Sequence, residues 1–158
     1  MNPQTDLGAI ARNIIDSIVY MALGTADENG NPWVSPLYFA SAAYQEFYWI
    51  SSPDVRHSRN IALRPQVSIV IFDSQIPIGS GQAVYIAGLA EQVTGSDLKR
   101  SLGIYNGRFP NPAEHGLQEI TNQDVLAPAP YRLYRATVSE HWVLDPASHP
   151  DHRTAVTV

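Results

Sequence analysis

Between Ser51 and Asn60 the chain reads Ser-Ser-Pro-Asp-Val-Arg-His-Ser-Arg-Asn, so that hydroxyls, two guanidinium groups and an imidazole crowd into ten residues. Such a set suits a phosphate monoester. Backbone N–H groups at a helix start, hydroxyls and a guanidinium can converge on one anion. The same residues also read as a capped helix whose basic side chains are merely solvated, and taken alone the stretch does not choose.

Other schemes find less support. Of the five histidines, His57, His115, His141, His149 and His152, only the last two lie close together, in a stretch that reads as a tail rather than the rigid element a zinc site requires. No metal ligand set is assigned. Gly79-Ser80-Gly81 lies between two strand patterns and makes a turn, not a nucleophile elbow or a phosphate loop. No catalytic acid, base or nucleophile stands out. Tyr48, Tyr85 and Tyr105 are candidates for the wall of a substrate pocket, and nothing in the sequence selects among them.

Composition bounds what these residues can serve. A chain of 158 residues fits one domain, here 1–158, and 44% hydrophobic against 16% charged residues, with twelve prolines, suits a folded protein rich in strands and turns. The low charge fraction hints at a surface covered by a partner. Ten basic against fifteen acidic side chains give a net charge of −5, which supplies no field toward nucleic acid or an anionic membrane. With no cysteine, disulfides, thiol catalysis and thiolate metal sites are excluded, and redox chemistry requires a bound cofactor. No apolar segment approaches the roughly 18 residues of a membrane span, and Met1 to Arg12 lacks a signal-peptide pattern, so a soluble cytoplasmic protein is expected.

The elements that must position Ser51 to Asn60 follow from periodicity. Leu7, Ile10, Ile14, Ile15 and Ile18 recur at helical spacing behind a possible cap at Thr5, predicting an N-terminal helix within residues 1–17. Strands are predicted over Ile18–Ala26, Pro32–Ala40, Tyr44–Ser51, Val67–Phe72, Gln82–Val93 and Tyr131–Leu144, with Asp27 to Asn31 as a hairpin turn and Gly88 at a bulge. Pro53–Arg64, Ser96–Tyr105 and Pro112–Ile120 read as short helices, and 145–158 as a tail. The pattern predicts a mainly β fold with a few short helices. A closed or nearly closed antiparallel barrel fits best, with a sandwich as the rival.

The order of these features resembles the pyridoxamine 5'-phosphate oxidase-like family of FMN-binding split β-barrels. The likeness is carried by the turn at Asp27 to Asn31, Pro32-Trp33-Val34-Ser35-Pro36, the aromatic strand ending at Ser51, Arg56-His57, Arg64-Pro65-Gln66-Val67 and Gln82 to Gly88. It covers Ile10 to Asp145. It implies a six-stranded antiparallel split barrel working as a homodimer, with FMN at the subunit interface.

The resemblance also assigns residues. It implies that Ser51 and Ser52 approach the flavin and its ribityl chain, while Arg56, His57 and Ser58 meet the phosphate. His57 stands where the family more often has lysine, so the contact would weaken as pH rises. Val34, Ser35, Pro36 and Leu37 would run along the isoalloxazine ring, although ordinary barrel packing accounts for this segment equally well. Ser35 lies near an arginine of the oxidase proper, and Pro36 removes a backbone donor. Gln82 would contact the flavin from the partner subunit, and Trp142 would wall the cofactor across the dimer. No counterpart of the oxidase's C-terminal arginine and histidine motif is found in Asp145 to Val158, so oxidation of pyridoxamine phosphate itself is not expected.

The expectation is an FMN-dependent oxidoreductase acting on a small molecule. One alternative is a deazaflavin-dependent reductase, whose more acidic coenzyme would call for more cations than Arg56, Arg59 and His57 supply. The other is a flavin- or haem-binding module without turnover.

Overall fold

Helix α1 spans Leu7–Ser17 in the computed structural model of the chain, which describes residues 6–145, 148, 150 and 152–158. Its cap is Asp6, whose Oδ1 accepts from the Ala9 N–H at 2.9 Å; Thr5, the expected cap, lies outside the described residues. Ala11 and Ile15, one turn apart, are fully buried. Burying a side chain the size of Ile15 contributes about 1.5–3 kcal/mol, which holds an 11-residue helix too short to persist alone.

Eight strands form one antiparallel sheet. They are β1 Tyr20–Ala26, β2 Pro32–Tyr38, β3 Ala40–Ala42, β4 Glu46–Ser51, β5 Gln66–Phe72, β6 Ala83–Gln92, β7 Arg132–Leu144 and β8 Arg153–Val156. The order is β2-β1-β5-β6-β7-β4-β3, with β8 paired to the far end of β7. The sheet's two edges, β2 and β3, are consecutive in the chain and separated by Phe39 alone. Right-handed strand twist curls the sheet until these ends approach, giving a half-barrel.

Alternation sends Met21, Leu23, Val67, Ile69, Ile71, Val84 and Ile86 inward. They meet Phe39, Phe47, Trp49 and the buried face of α1 in the main core. A second core forms outside the barrel wall, where Tyr48 and Leu133 pack on Leu98 and Leu102 of α3 (Asp97–Asn106) and Val125 of α4 (Asn122–Val125).

Several boundaries differ from expectation for local reasons. The strand predicted over Pro32–Ala40 breaks at Phe39, where the chain turns from one sheet edge to the other, and so yields β2 and β3. Pro112–Ile120 gives only a 3₁₀ turn at Pro112–His115, ended by Gly116 in the left-handed region, and α4 follows it unforeseen. Helix α2 is confined to Arg56–Leu63.

The C-terminal segment is not simply a tail. Its residues 153–156 hydrogen-bond beside β7 as β8, because β4 covers that edge of β7 only as far as Thr137 and leaves 141–144 unpaired. The expected bulge at Gly88 is present. Ala87 faces Glu140 while Gly88 faces Val138, so Ser139 is the extra residue. A Cβ on Gly88 would lie 2.5 Å from the Thr137 carbonyl oxygen, which requires glycine. Among the described residues no helix is long and apolar enough to cross a membrane.

Candidate functional site

Strand β4 ends at Ser51, which is buried and paired with Arg132, and the chain enters α2 five residues later. Ser52 shapes that loop, its Oγ accepting from the Asp54 N–H at 3.2 Å. The capping position of α2 is Val55, which has no side chain able to accept a hydrogen bond. The first-turn N–H groups are thus left without the side-chain acceptor that usually serves them. Ser58 in the same turn is 2% exposed, and its Oγ has no partner among the described residues. Arg56 is exposed, with its guanidinium carbon 4.6 Å from the centre of the Trp33 ring. Arg59 donates to the Asp54 carbonyl and braces the loop.

His57 is turned inward. Its Nδ1 lies 3.0 Å from Ser35 Oγ on β2, and its Nε2 lies 2.8 Å from Ser51 Oγ on β4. The Trp33 indole N–H already donates to Ser35 Oγ at 3.1 Å. Burial pushes the ring's pKa below the ordinary value. For the neutral ring that burial favours, one assignment has the Ser35 hydroxyl donating to Nδ1 and Nε2–H donating to Ser51 Oγ. His57, expected beside Arg56 on the phosphate, links β2 to β4 through these two contacts. Beside it the Asn60 amide donates to Thr25 Oγ1 at 3.0 Å, tying α2 to β1.

Along β2 the alternation separates the four residues expected at the ring. Ser35 is buried and Leu37 leans on the main core, whereas Val34 and Pro36 face outward. β2 pairs with β1 alone, so one edge of its backbone lies outside the sheet's hydrogen bonding. Side chains of Val34 and Pro36, with that free edge, are what β2 offers a ligand.

Gln82 and Trp142 are not brought to this place. Pro36 and Trp142 share one outward row, running Pro36, Ala22, Val70, Tyr85, Trp142 and Ala155 across six strands. Four strand spacings separate Pro36 from Trp142, about 19 Å at ~4.8 Å each. Ser51 sits level with Arg132, ten residues before Trp142 on β7, which is about 30 Å of strand. Gln82 immediately precedes β6 and lies at the Trp142 end.

Sequence reasoning missed Arg153. Strand β8 places its guanidinium 5.2 Å from the centre of the Tyr85 ring, with Nη2 3.3 Å from the Tyr85 hydroxyl, beside Trp142. The only available signal was the short run Thr154-Ala155-Val156, too brief to read as a strand. Of the paired histidines, His149 lies outside the described residues and His152 is exposed.

A sequence profile of the family described as pyridoxamine 5'-phosphate oxidase matches residues 9–142. No curated protein matches the chain. Among solved structures, a haem binding protein from Mycobacterium smegmatis superposes with a TM-score of 0.73 at 19% identity, over 97% of this chain and 59% of that one. The chain thus spans well under two thirds of that protein's length. The haem storage protein from Vibrio cholerae gives 0.65 at 19% identity, over 85% of this chain and 92% of that one. An F420 reductase gives 0.57 at 18% identity, over 83% and 94%. At such identities the likeness is one of fold.

Proposed function

The chain belongs to the pyridoxamine 5'-phosphate oxidase family, and from that premise we propose that it is a homodimeric FMN-dependent oxidoreductase acting on a small molecule. The observation that carries the reading is the start of α2. An uncapped helix N-terminus, the orphaned buried hydroxyl of Ser58 and the exposed Arg56 guanidinium meet beside the end of β4. These donors fit a phosphate monoester. A flavin held there supplies hydride and electron transfer, and the protein binds and orients it.

In this reading Arg56, Ser58 and the first-turn N–H groups hold the phosphate, and Ser51 and Ser52 face the ribityl chain. Val34, Pro36 and the free edge of β2 lie along the ring. His57 stays neutral and fixes the spacing of Ser35 and Ser51. Gln82, Trp142 and Arg153 come from the second subunit, because within one chain they stand too far off to share a ligand with Pro36.

An absorbance spectrum with and without added FMN, and the quenching of flavin fluorescence on titration, test the reading directly. Tight binding is expected. Arg56→Ala should weaken FMN ten- to hundredfold, as befits a charge-assisted contact of about 1.5–3 kcal/mol; unchanged affinity would remove Arg56 from the phosphate.

A haem-binding module is the second reading, favoured by the two haem proteins among the structural neighbours. Among the described residues His57 and His141 are buried and bonded, which leaves His115 and His152 as imidazoles able to reach an iron. A Soret band on adding haemin, with no quenching of FMN, would select it. A deazaflavin reductase ranks third, since the turned-in His57 leaves Arg56 and Arg59 as the only cations at the start of α2.

A further inference from the structure

The three tyrosines that could wall a substrate pocket are separated by the fold. Tyr48 is fully buried and donates to Glu46 at 3.0 Å, and Tyr85 lies beneath Arg153 on the outer face. Tyr105 lines a cavity. The cavity, about 120 Å³, is bounded by α3, the end of β2 and the segment following the 3₁₀ turn. Its walls are Tyr38, Tyr105, Leu117 and Ile120, with Gln118 and Asn106 as polar neighbours.

The cavity is built. Asn106 spends its amide on the loop that closes it, donating to the Ile120 carbonyl at 2.8 Å and accepting from the Ile120 N–H at 2.9 Å. Tyr38 and Tyr105 meet edge to face at 5.4 Å. Neither the Tyr105 nor the Tyr38 hydroxyl has a hydrogen-bond partner among the described residues, and that of Tyr38 is fully buried. Burial, with Tyr38 and Tyr20 adding to it, pushes the Tyr105 pKa up, so that hydroxyl keeps its proton and remains a donor.

Among the described residues no lysine, arginine, histidine or carboxylate lines the cavity. The nearby Arg108 guanidinium donates through Nη2 to the carbonyls of Ile15 and Ile18 at 2.8 and 2.9 Å and is not part of the lining. An anion entering would lose its hydration with no cation in the lining to contact it directly. The volume is somewhat below the ~150 Å³ of a closed cavity that accepts one benzene ring, and this cavity is partly open, so a ligand can extend beyond it. Tyr38 follows Pro36 by two residues on the same face of β2, about 7 Å along the strand.

We infer that this cavity binds a small, uncharged, planar molecule through one acceptor oxygen that takes the Tyr105 hydroxyl proton in a hydrogen bond. Its role as the substrate end of the site rests on the flavin reading above, because Pro36 belongs to the strip proposed for the ring. The binding itself does not.

Benzamide and benzoate are the probes, equal in shape and different in charge. They are titrated into the full-length ¹⁵N-labelled protein, with and without FMN, while the amides of Gly116 and Leu117 are followed by NMR. Benzamide should shift both, with benzoate at least tenfold weaker. Tyr105→Phe, which keeps the ring and its packing, should weaken benzamide about fivefold, the cost of one neutral hydrogen bond, and leave the FMN titration unchanged. Equal binding of the two probes, an unchanged benzamide affinity in Tyr105→Phe, or no shift at these amides would overturn the inference. Benzamide binding without FMN binding would support the cavity and overturn only the flavin reading.

Discussion

His57 is the residue whose role changed most between sequence and structure. On the exposed first turn of a helix it would be a half-protonated partner for an anion. Turned inward between Ser35 and Ser51 it is a neutral connector. Burial lowers the pKa of His57 and of His141, whose Nε2 lies 2.8 Å from the Tyr44 carbonyl oxygen. In the unfolded chain both titrate near 6.5. As pH falls below that value the unfolded state takes up protons that the folded state resists, so their contribution is present above about pH 6.5 and is lost on acidification. The urea midpoint should therefore be lower at pH 5.5 than at pH 7.5, and less so in His57→Asn; an equal drop in the variant would clear His57 of the effect. FMN affinity should stay level from pH 6.5 to 8, since no imidazolium is lost from the phosphate over that range.

At the scale of elements, each piece of the site is held by something outside it. α2 is fastened to β1 through Asn60 and Thr25, and to β2 and β4 through His57. α1 is fastened by Arg108, which bonds its C-terminal carbonyls while stacking on Phe39 at 4.8 Å. That places a cation where the helix dipole favours one. β6 and β7 run past one another only because the bulge at Ser139 adjusts their register, and the bulge depends on Gly88. Gly88→Ala would drive a methyl into the Thr137 carbonyl and should cost about 1–3 kcal/mol in chemical denaturation. A stability equal to wild type would mean that the bulge yields freely.

For the whole molecule the decisive feature is the open outer face of the sheet. Tyr20, Val34, Phe72 and Leu89 are 61%, 62%, 48% and 52% exposed on β1, β2, β5 and β6. A single chain leaves this apolar face to water, which suits a surface that a second copy covers. Light scattering should give twice the 17.4 kDa chain mass. Val34→Asp places a charge on that face without touching the core, and should yield a folded monomer that no longer retains FMN. A monomeric wild type with full FMN affinity would remove Gln82, Trp142 and Arg153 from the site.

Patterning alone determined the mainly β architecture, the hairpin at Asp27 to Asn31 and the bulge at Gly88, and it singled out the stretch from Ser51 to Asn60 by its side-chain types. These are local consequences of period, turn chemistry and side-chain type, and a short window of residues contains them. Tertiary structure decided what depends on partners distant in the chain. The inward turn of His57 requires Ser35, 22 residues earlier. Strand β8 exists because one edge of β7 stood unpaired, and only β8 carries Arg153 to Tyr85. Tyr105 differs from Tyr48 and Tyr85 in no local feature; the loop pinned by Asn106 and Ile120 gives it a cavity. A sequence window cannot register such contacts, because their free energy arises only when segments far apart in the chain close on one another.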